Sequence, residues 1–240
     1  GGSWSQTGSD GRWMKIFQEL GLKVTPFAPM NCGFEIKWSE HFKTKHETAP
    51  LKNVGICFEG KSTVSELMLT NYGVEGTGIY KFSSNIRKEI ERSGTAVIEL
   101  DLKPDRPLAE IKKRLMEPRG KNSIANHLRK KINLPSTATS LLKELTSQEV
   151  FVDMEKLANS IKKLPLTLVQ PRPLEEAISS SGGLSFNALD KNLMIKSHPG
   201  FYVAGEMLDW EAPTGGYLLQ GCFSTAHTAA QAILKQSTSL

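Results

Sequence analysis

The 240-residue chain lacks any apolar run approaching about 18 residues, which excludes an ordinary membrane-spanning helix. Its opening, Gly1-Gly2-Ser3-Trp4, has neither a basic stretch nor an apolar one and does not read as a secretory signal. Cysteine is scarce: Cys32, Cys57 and Cys222 cannot all pair and show no Cys-x-x-Cys spacing. With no Asn-x-Ser/Thr sequon either, the expectation is free thiols in a reducing cytoplasm. Five scattered histidines include no His-x-x-x-His pair, so no metal site is expected. Also missing are a Gly-x-Gly-x-x-Gly turn after a strand and a phosphate-binding P-loop; Gly73, Gly76 and Gly78 have the wrong spacing. A dinucleotide site needs a first strand–helix–strand unit, and no segment reads as one. There is no internal repeat and no low-complexity tract.

What remains is ordinary globular composition, 39% hydrophobic and 23% charged, enough for one or two domains with a sizeable core. The net charge of +5 is uneven. Residues 101–172 carry 15 basic and 8 acidic side chains, whereas the rest of the chain carries 15 and 17. The plain reading is a solvated helical surface; the sharper one is an anionic partner such as nucleic acid.

Texture divides the chain. Trp13, Ile16, Phe17 and Leu20 fall at i, i+3, i+4 and i+7, with Gly21 as a stop, which predicts a short amphipathic helix. From Val24 to about Leu102, short alternating runs cut by Gly, Pro and Asn read as strands of a small, mostly antiparallel sheet or barrel, with a helix at 82–93. From Pro107 to Ile161 four apolar stripes at helical spacing predict three or four helices: Leu108/Ile111/Leu115, Ile124/Leu128/Ile132, Leu141/Leu142/Leu145 and Met154/Leu157/Ile161. Leu164–Val169 is strand-like again, and Ile178–Leu184 is a strand entering a turn. Phe201–Gly205 is a short, wholly apolar run that reads as a buried parallel strand. Pro213-Thr214-Gly215-Gly216 precedes a helix from Tyr217 to about Leu234.

The last sixty residues suggest a ligand site. Gly205 would admit a ligand close to the backbone, and Glu206 could accept hydrogen bonds from sugar-like hydroxyls. Gly215-Gly216 opens a helix whose unpaired amides and positive dipole end favour negative charge. Each feature alone reads equally as a plain turn, a solvated carboxylate or a loop.

Four segments in order resemble one family. They are Ser3-Trp4-Ser5-Gln6-Thr7-Gly8-Ser9-Asp10-Gly11, Leu69-Thr70-Asn71-Tyr72-Gly73-Val74-Glu75-Gly76, Ser180-Ser181-Gly182-Gly183-Leu184, and Phe201 to Asp209 followed by Pro213 to Tyr217 and Gln220. Together they resemble the BaiN/YhiN-like NAD(P)/FAD-dependent oxidoreductases. The resemblance implies an α/β fold: a partial Rossmann-like, glutathione-reductase-like FAD layer (1–24 with 171–240), a β-barrel-like insert (25–104 with 162–170) and a helical insert (105–161). The family's N-terminal glycine fingerprint has no counterpart, so the chain resembles a truncated member (a fragment, one with a misassigned start, or half of a split gene), and by itself it is expected to lack complete FAD binding. By position, Gly205 and Glu206 are expected at the ribityl or pyrophosphate of FAD. Thr214, Gly215, Gly216 and Tyr217 are expected under the flavin pyrimidine edge, Thr7 and Gly8 beside the cofactor, and Gly182 and Gly183 close to the isoalloxazine. Ala226-His227 departs from the glycine usual in the family's last helix.

The implied function is passage of electrons from NAD(P)H through flavin to an organic substrate, with C=C reduction in view. Tyr72, Tyr217 and Glu206 are proton-donor candidates by residue type only. A second expectation is an RNA-binding flavoprotein that reduces a uridine in ribosomal RNA. Its helical insert would meet phosphates through Lys112, Lys113, Arg114, Arg129, Lys130 and Lys131, although no aromatic residue interleaves with them for base stacking. A third is a non-catalytic remnant, or a subunit that needs a separate N-terminal polypeptide.

Overall fold

The computed structural model describes residues 1–45 and 48–237. His46 therefore lies outside the described residues. In chain order the elements are α1 (Trp13–Glu19), β1 (Val24–Met30), β2 (Phe34–Glu35), α2 (Glu40–Lys45), β3 (Thr48–Phe58), β4 (Lys61–Thr70), β5 (Gly73–Glu75), α3 (Thr77–Tyr80), α4 (Ser83–Ser93), β6 (Ala96–Asp101), α5 (Leu108–Leu115), α6 (Ile124–Ile132), α7 (Ser136–Leu145), α8 (Met154–Lys162), β7 (Leu164–Leu168), β8 (Gln170–Pro171), β9 (Ser179–Leu184) and α9 (Tyr217–Ser237). The contacts form two compact units, 33–171 and the combination of 1–32 with 172–240. No described helix is long and apolar enough to cross a membrane.

Unit 33–171 is built on a seven-stranded antiparallel sheet in the order β7-β6-β3-β4-β5-β2-β8. Its two ends, β7 and β8, are consecutive in sequence. Val169 joins them and donates its N–H to Glu35 O at 2.9 Å, so one short segment brings the sheet's edges together into a nearly closed barrel. Alternation supplies the interior. In β6, Ala96, Ile98 and Leu100 point inward, and in β7 Leu164, Leu166 and Leu168 do the same, all buried. Phe34, Ile56, Leu67, Leu69 and Val74 complete this core. The β3–β4 hairpin turns on Glu59-Gly60, both at positive φ (49° and 76°), the backbone that matches strand twist in a two-residue turn.

The helices of this unit follow the sequence stripes. Ile111, Leu115, Leu128, Ile132, Leu141, Leu142, Leu157 and Ile161 are all buried. Ser123 caps α6 by accepting from Asn126 N, and Asp153 caps α8 by accepting from Glu155 N and Lys156 N. The exit of α8 is tied to the segment after β6: Lys162 Nζ lies 2.5 Å from Asp101 Oδ2 and donates to the carbonyls of Lys103 and Arg106.

In the other unit, β1 and β9 form an antiparallel two-stranded ribbon. The strand at 24–30, grouped by texture with the barrel insert, thus finds its hydrogen-bond partner in β9. Trp13 of α1 stacks edge-on against Phe17 and Phe27, with centroids 5.3 and 5.8 Å away. Leu184, Leu189, Leu193, Ile195, Val203 and Leu208 form a small core.

Residues 201–204 are not the expected buried parallel strand. Only Val203 of this run is well buried, and Phe201 is 63% exposed. The segment folds back on its immediate neighbours: Ile195 N donates to Phe201 O and Val203 N to Leu193 O, with Gly200 turning at φ 93°. An apolar run this short is satisfied by the nearest partner in sequence. The parallel neighbour of β9 is instead Leu208, bridged to Leu184.

Candidate functional site

The opening residues lie beside residues 180–206. Gly2 N donates to Ser180 Oγ at 3.1 Å, and the Gly1 nitrogen lies 3.8 Å from Glu206 Oε2. Gly205 begins a tight turn at φ 64° that runs through Met207. That turn is anchored on α9, where Gly205 N donates to Thr225 Oγ1 at 3.0 Å. Trp210 Nε1 donates to Gly205 O at 2.9 Å and lays its ring over Gly221 of α9. Burial pushes the Cys222 thiol up from its ordinary pKa, and the Glu206 carboxylate adds to the rise.

Gly182 and Gly183 are in positive-φ backbone (95° and 135°) that favours glycine, and main chain packs closely against both. A Cβ on Gly182 would strike Pro26 O, and one on Gly183 would lie 2.7 Å from Met207 O and from Leu208. This pair is the seam where β1, β9 and the Gly205 turn come together. Thr214 is half-buried and Gly215, Gly216 and Tyr217 are exposed at the start of α9. A Cβ on Gly216 would meet nothing within 4 Å, so the backbone there is open to close approach. Thr7 and Gly8 sit on an exposed turn whose hydrogen bonds stay local: Thr7 Oγ1 donates to Trp4 O and Gly8 N to Ser5 O. The structure therefore joins Gly182, Gly183, Gly205 and Glu206 into one neighbourhood and leaves Thr7 and Gly8 on their own turn.

Three positions absent from the sequence reading hold this neighbourhood. Asn31, only 2% exposed and at φ 53°, donates through Nδ2 to Ser179 Oγ (2.9 Å) and to Ala212 O (2.8 Å). Its Oδ1 is buried and has no partner. Thr25 Oγ1 donates to Asp209 Oδ2 at 2.6 Å. Thr225 receives Gly205 N, as above. The partners of Asn31 and Thr25 lie some 150 to 180 residues away, and nothing local in the sequence marks them.

The cationic residues of the helical insert divide. Lys112 pairs with Glu155, Arg114 with Glu110, and Lys131 with Glu117. The hydrogen bond from Lys131 holds the Glu117 carboxyl below its usual range, and Arg114 does the same for Glu110. Lys113, Arg129 and Lys130 are exposed, and Arg119 and Lys121, which the sequence reading passed over, join them. Lys130 Nζ donates to Asn122 Oδ1 and Asn122 Nδ2 to Arg119 O, which fixes the α5–α6 turn against α6. Among the described residues no group of His, Cys, Asp or Glu side chains could hold a metal ion.

Residues 28–179, well over half of the chain, match the family model described as HI0933-like protein barrel and H2TH domain. The chain belongs to the HI0933-like family. The matched stretch contains all of unit 33–171, its barrel and its helices. Among curated proteins the chain is similar to 3-dehydro-bile acid delta(4,6)-reductase of Clostridium scindens, with 22% identity over 239 residues. That match takes in 94% of this chain and 58% of the relative, so the chain spans under two thirds of the relative's length.

Proposed function

We propose that this HI0933-like chain is the C-terminal part of an FAD-dependent oxidoreductase that draws on NAD(P)H and reduces a C=C bond of an organic substrate. The observation that carries this reading is the meeting of Gly1-Gly2, Gly182-Gly183 and the Gly205-Glu206 turn in one place, on a chain similar to a bile acid reductase. The residues present fit one part of a flavin site. Gly216 offers open backbone at the start of α9, and the orphaned Asn31 Oδ1 lies on the side chain that braces the Ala212 loop leading into it.

FAD, when bound, supplies the acceptance of hydride from a nicotinamide and its delivery to the substrate. The chain's own residues bind and orient. First-turn amides of α9 have no acceptor within the helix and favour negative charge beside them. The Glu206 carboxylate, 30% exposed, accepts hydrogen bonds from sugar-type hydroxyls. Trp210 and Thr225 fix the Gly205 backbone so that this geometry is set before binding. Three thiols without a disulfide suit a reducing cytoplasm.

Hydrogen exchange tests the reading. Millimolar FAD is expected to slow amide exchange across 205–217 and to leave the barrel strands unchanged. An equal or absent response in both regions would remove the flavin assignment.

A second reading is favoured by one surface. Lys113, Arg119, Lys121, Arg129 and Lys130 are exposed on α5, α6 and their connecting turn, which suits a phosphate backbone such as ribosomal RNA. About four phosphate contacts on single strands predict roughly a 50-fold loss of affinity between 50 and 200 mM salt. Arg129→Glu with Lys130→Glu should flatten that slope, whereas Lys112→Gln, at a residue already paired with Glu155, should change it little. Binding that ignores salt ends this reading.

A further inference from the structure

The cation-rich run of the helical insert, 103–131, holds no Phe, Tyr or Trp, so by sequence it offers phosphates a partner and bases none. Folding supplies a ring from outside that run. The 3-10 turn Gln148–Phe151 brings Phe151 to Ile124, the first residue of α6. These two, with Gln148 and with Lys143 and Thr146 at the end of α7, line a cavity of about 320 Å³. That is the low end of the roughly 300–1,000 Å³ of small-ligand sites, room for one planar ring system rather than a stack of them.

The lining is mixed in a way that suits a heteroaromatic ring. Ile124 and Phe151, both half-buried, give it apolar surface. Thr146 Oγ1 donates to Leu142 O at 2.6 Å, which commits its proton and leaves lone pairs to accept. Gln148 contributes an exposed amide, a donor and an acceptor on one planar group, and Lys143 is the only charge among the lining residues. Phe151 is pinned on both sides. Val150 N donates to Ser147 O and Val152 N to Glu149 O, and Asp153 caps α8 directly afterwards. A ring fixed before binding costs little to order.

The cavity also sits beside the exposed cations. Lys121 is three residues before Ile124, so their Cα atoms are at most about 11 Å apart. Asn122, between them, is tied to Arg119 O and to Lys130 Nζ, which fixes this turn against α6. A lipid tail or an apolar peptide side chain would use Ile124 and Phe151 and gain nothing from Arg119, Lys121 or Lys143. A base joined to phosphates uses every one of these features.

We propose that this cavity takes one unpaired base of a single-stranded RNA. The base stacks on Phe151 and sets its edge against Gln148 and Thr146, and the adjoining phosphates meet Arg119, Lys121 and Lys143. The pocket deepens the phosphate-backbone reading of the insert and rests on it for the kind of polymer bound.

The test is fluorescence anisotropy on the full chain with two labelled probes, decauridylate and a ribose-phosphate decamer without bases, at 50 and 200 mM salt. Decauridylate is expected to bind about 5- to 150-fold more tightly than the abasic probe, as one stacked base provides, and both should weaken with salt. Phe151→Leu keeps an apolar side chain without a π face and should close that gap, whereas Phe151→Trp should retain it. Neither should alter the salt slope, and an unchanged unfolding transition verifies that both fold. Equal binding of the two probes, or a gap that Phe151→Leu leaves intact, overturns the base pocket and lets the phosphate reading stand. A gap that depends on Phe151 but not on salt keeps the pocket and ends the phosphate reading. No binding of either probe at 50 mM salt ends both.

Discussion

Gly183→Ala is expected to unfold the β1–β9 ribbon and leave the barrel standing. The residue sits at φ 135°, where a side chain is strained whatever the space around it. The added Cβ would also lie 2.7 Å from Met207 O and from Leu208 C and O, all main-chain atoms. Those atoms cannot yield cheaply, because Asp209 N donates to Leu184 O on one side of the contact and Thr225 pins Gly205 on the other. Strained backbone costs about 1–3 kcal/mol and overpacking a similar amount, which together rival much of the roughly 5–15 kcal/mol that holds a domain. Hydrogen exchange on the full chain should show strands at 24–30 and 179–184 becoming unprotected while 96–101 and 164–168 keep their protection. Gly8→Ala is the control: φ is 93°, yet the new Cβ meets nothing within 4 Å, so only the backbone term applies. Equal destabilisation by the two substitutions would show that the Gly183 seam carries no special packing.

Asn31→Ala is expected to have the next largest effect. It strips Ala212 O of its donor at a buried position, at about 1–3 kcal/mol for the carbonyl left unpaired, and removes one of two hydrogen bonds from Ser179 Oγ, which keeps its own to Met30 O. Alanine is also poorer than asparagine at φ 53°. Asn31→Gly removes the second penalty and keeps the first, so the difference between the two variants isolates the hydrogen bonds. Asn31→Asp should be worst at neutral pH, because it buries a carboxylate against a carbonyl oxygen with no cation described beside it. Burial raises that carboxyl's folded pKa, so the protonated form is favoured in the fold. The stability of Asn31→Asp should therefore be highest in acid and fall as pH rises through that raised value. Urea midpoints at pH 4 and pH 7 read this directly. A flat profile would show that the site opens to water.

The helical insert was legible in the sequence because each of its stripes is local: the residues that define the period are the residues that become buried. The β3–β4 hairpin and the helix at 83–93 were legible for the same reason. Barrel closure was not, since β2 pairs with β8 across some 135 residues and no short window contains both. The run at 201–204 misled because apolar composition does not say which neighbour a strand will choose, and here the nearest hairpin partner won. The six cations of the insert were read as one surface, but half of them had acids within reach, Glu110 on the same helix, Glu117 on the adjoining turn and Glu155 43 residues away. Of the site, the glycines and Glu206 stood out by residue type. Asn31 and Thr25 did not, because an amide or a hydroxyl acquires its role only from a partner that folding delivers.

The closure of the barrel by a single eight-residue run orders events on the ribosome. Residues 164–171 provide both outer strands of the sheet, so the strands made before them wait as an open sheet until translation has passed the helical insert. The four helices, complete by Lys162, are ready to fold before that moment and bring β7 directly alongside β6. A premature stop before Leu164 would release a chain with two exposed sheet margins at once, the kind of product that quality-control proteases and chaperones recognise.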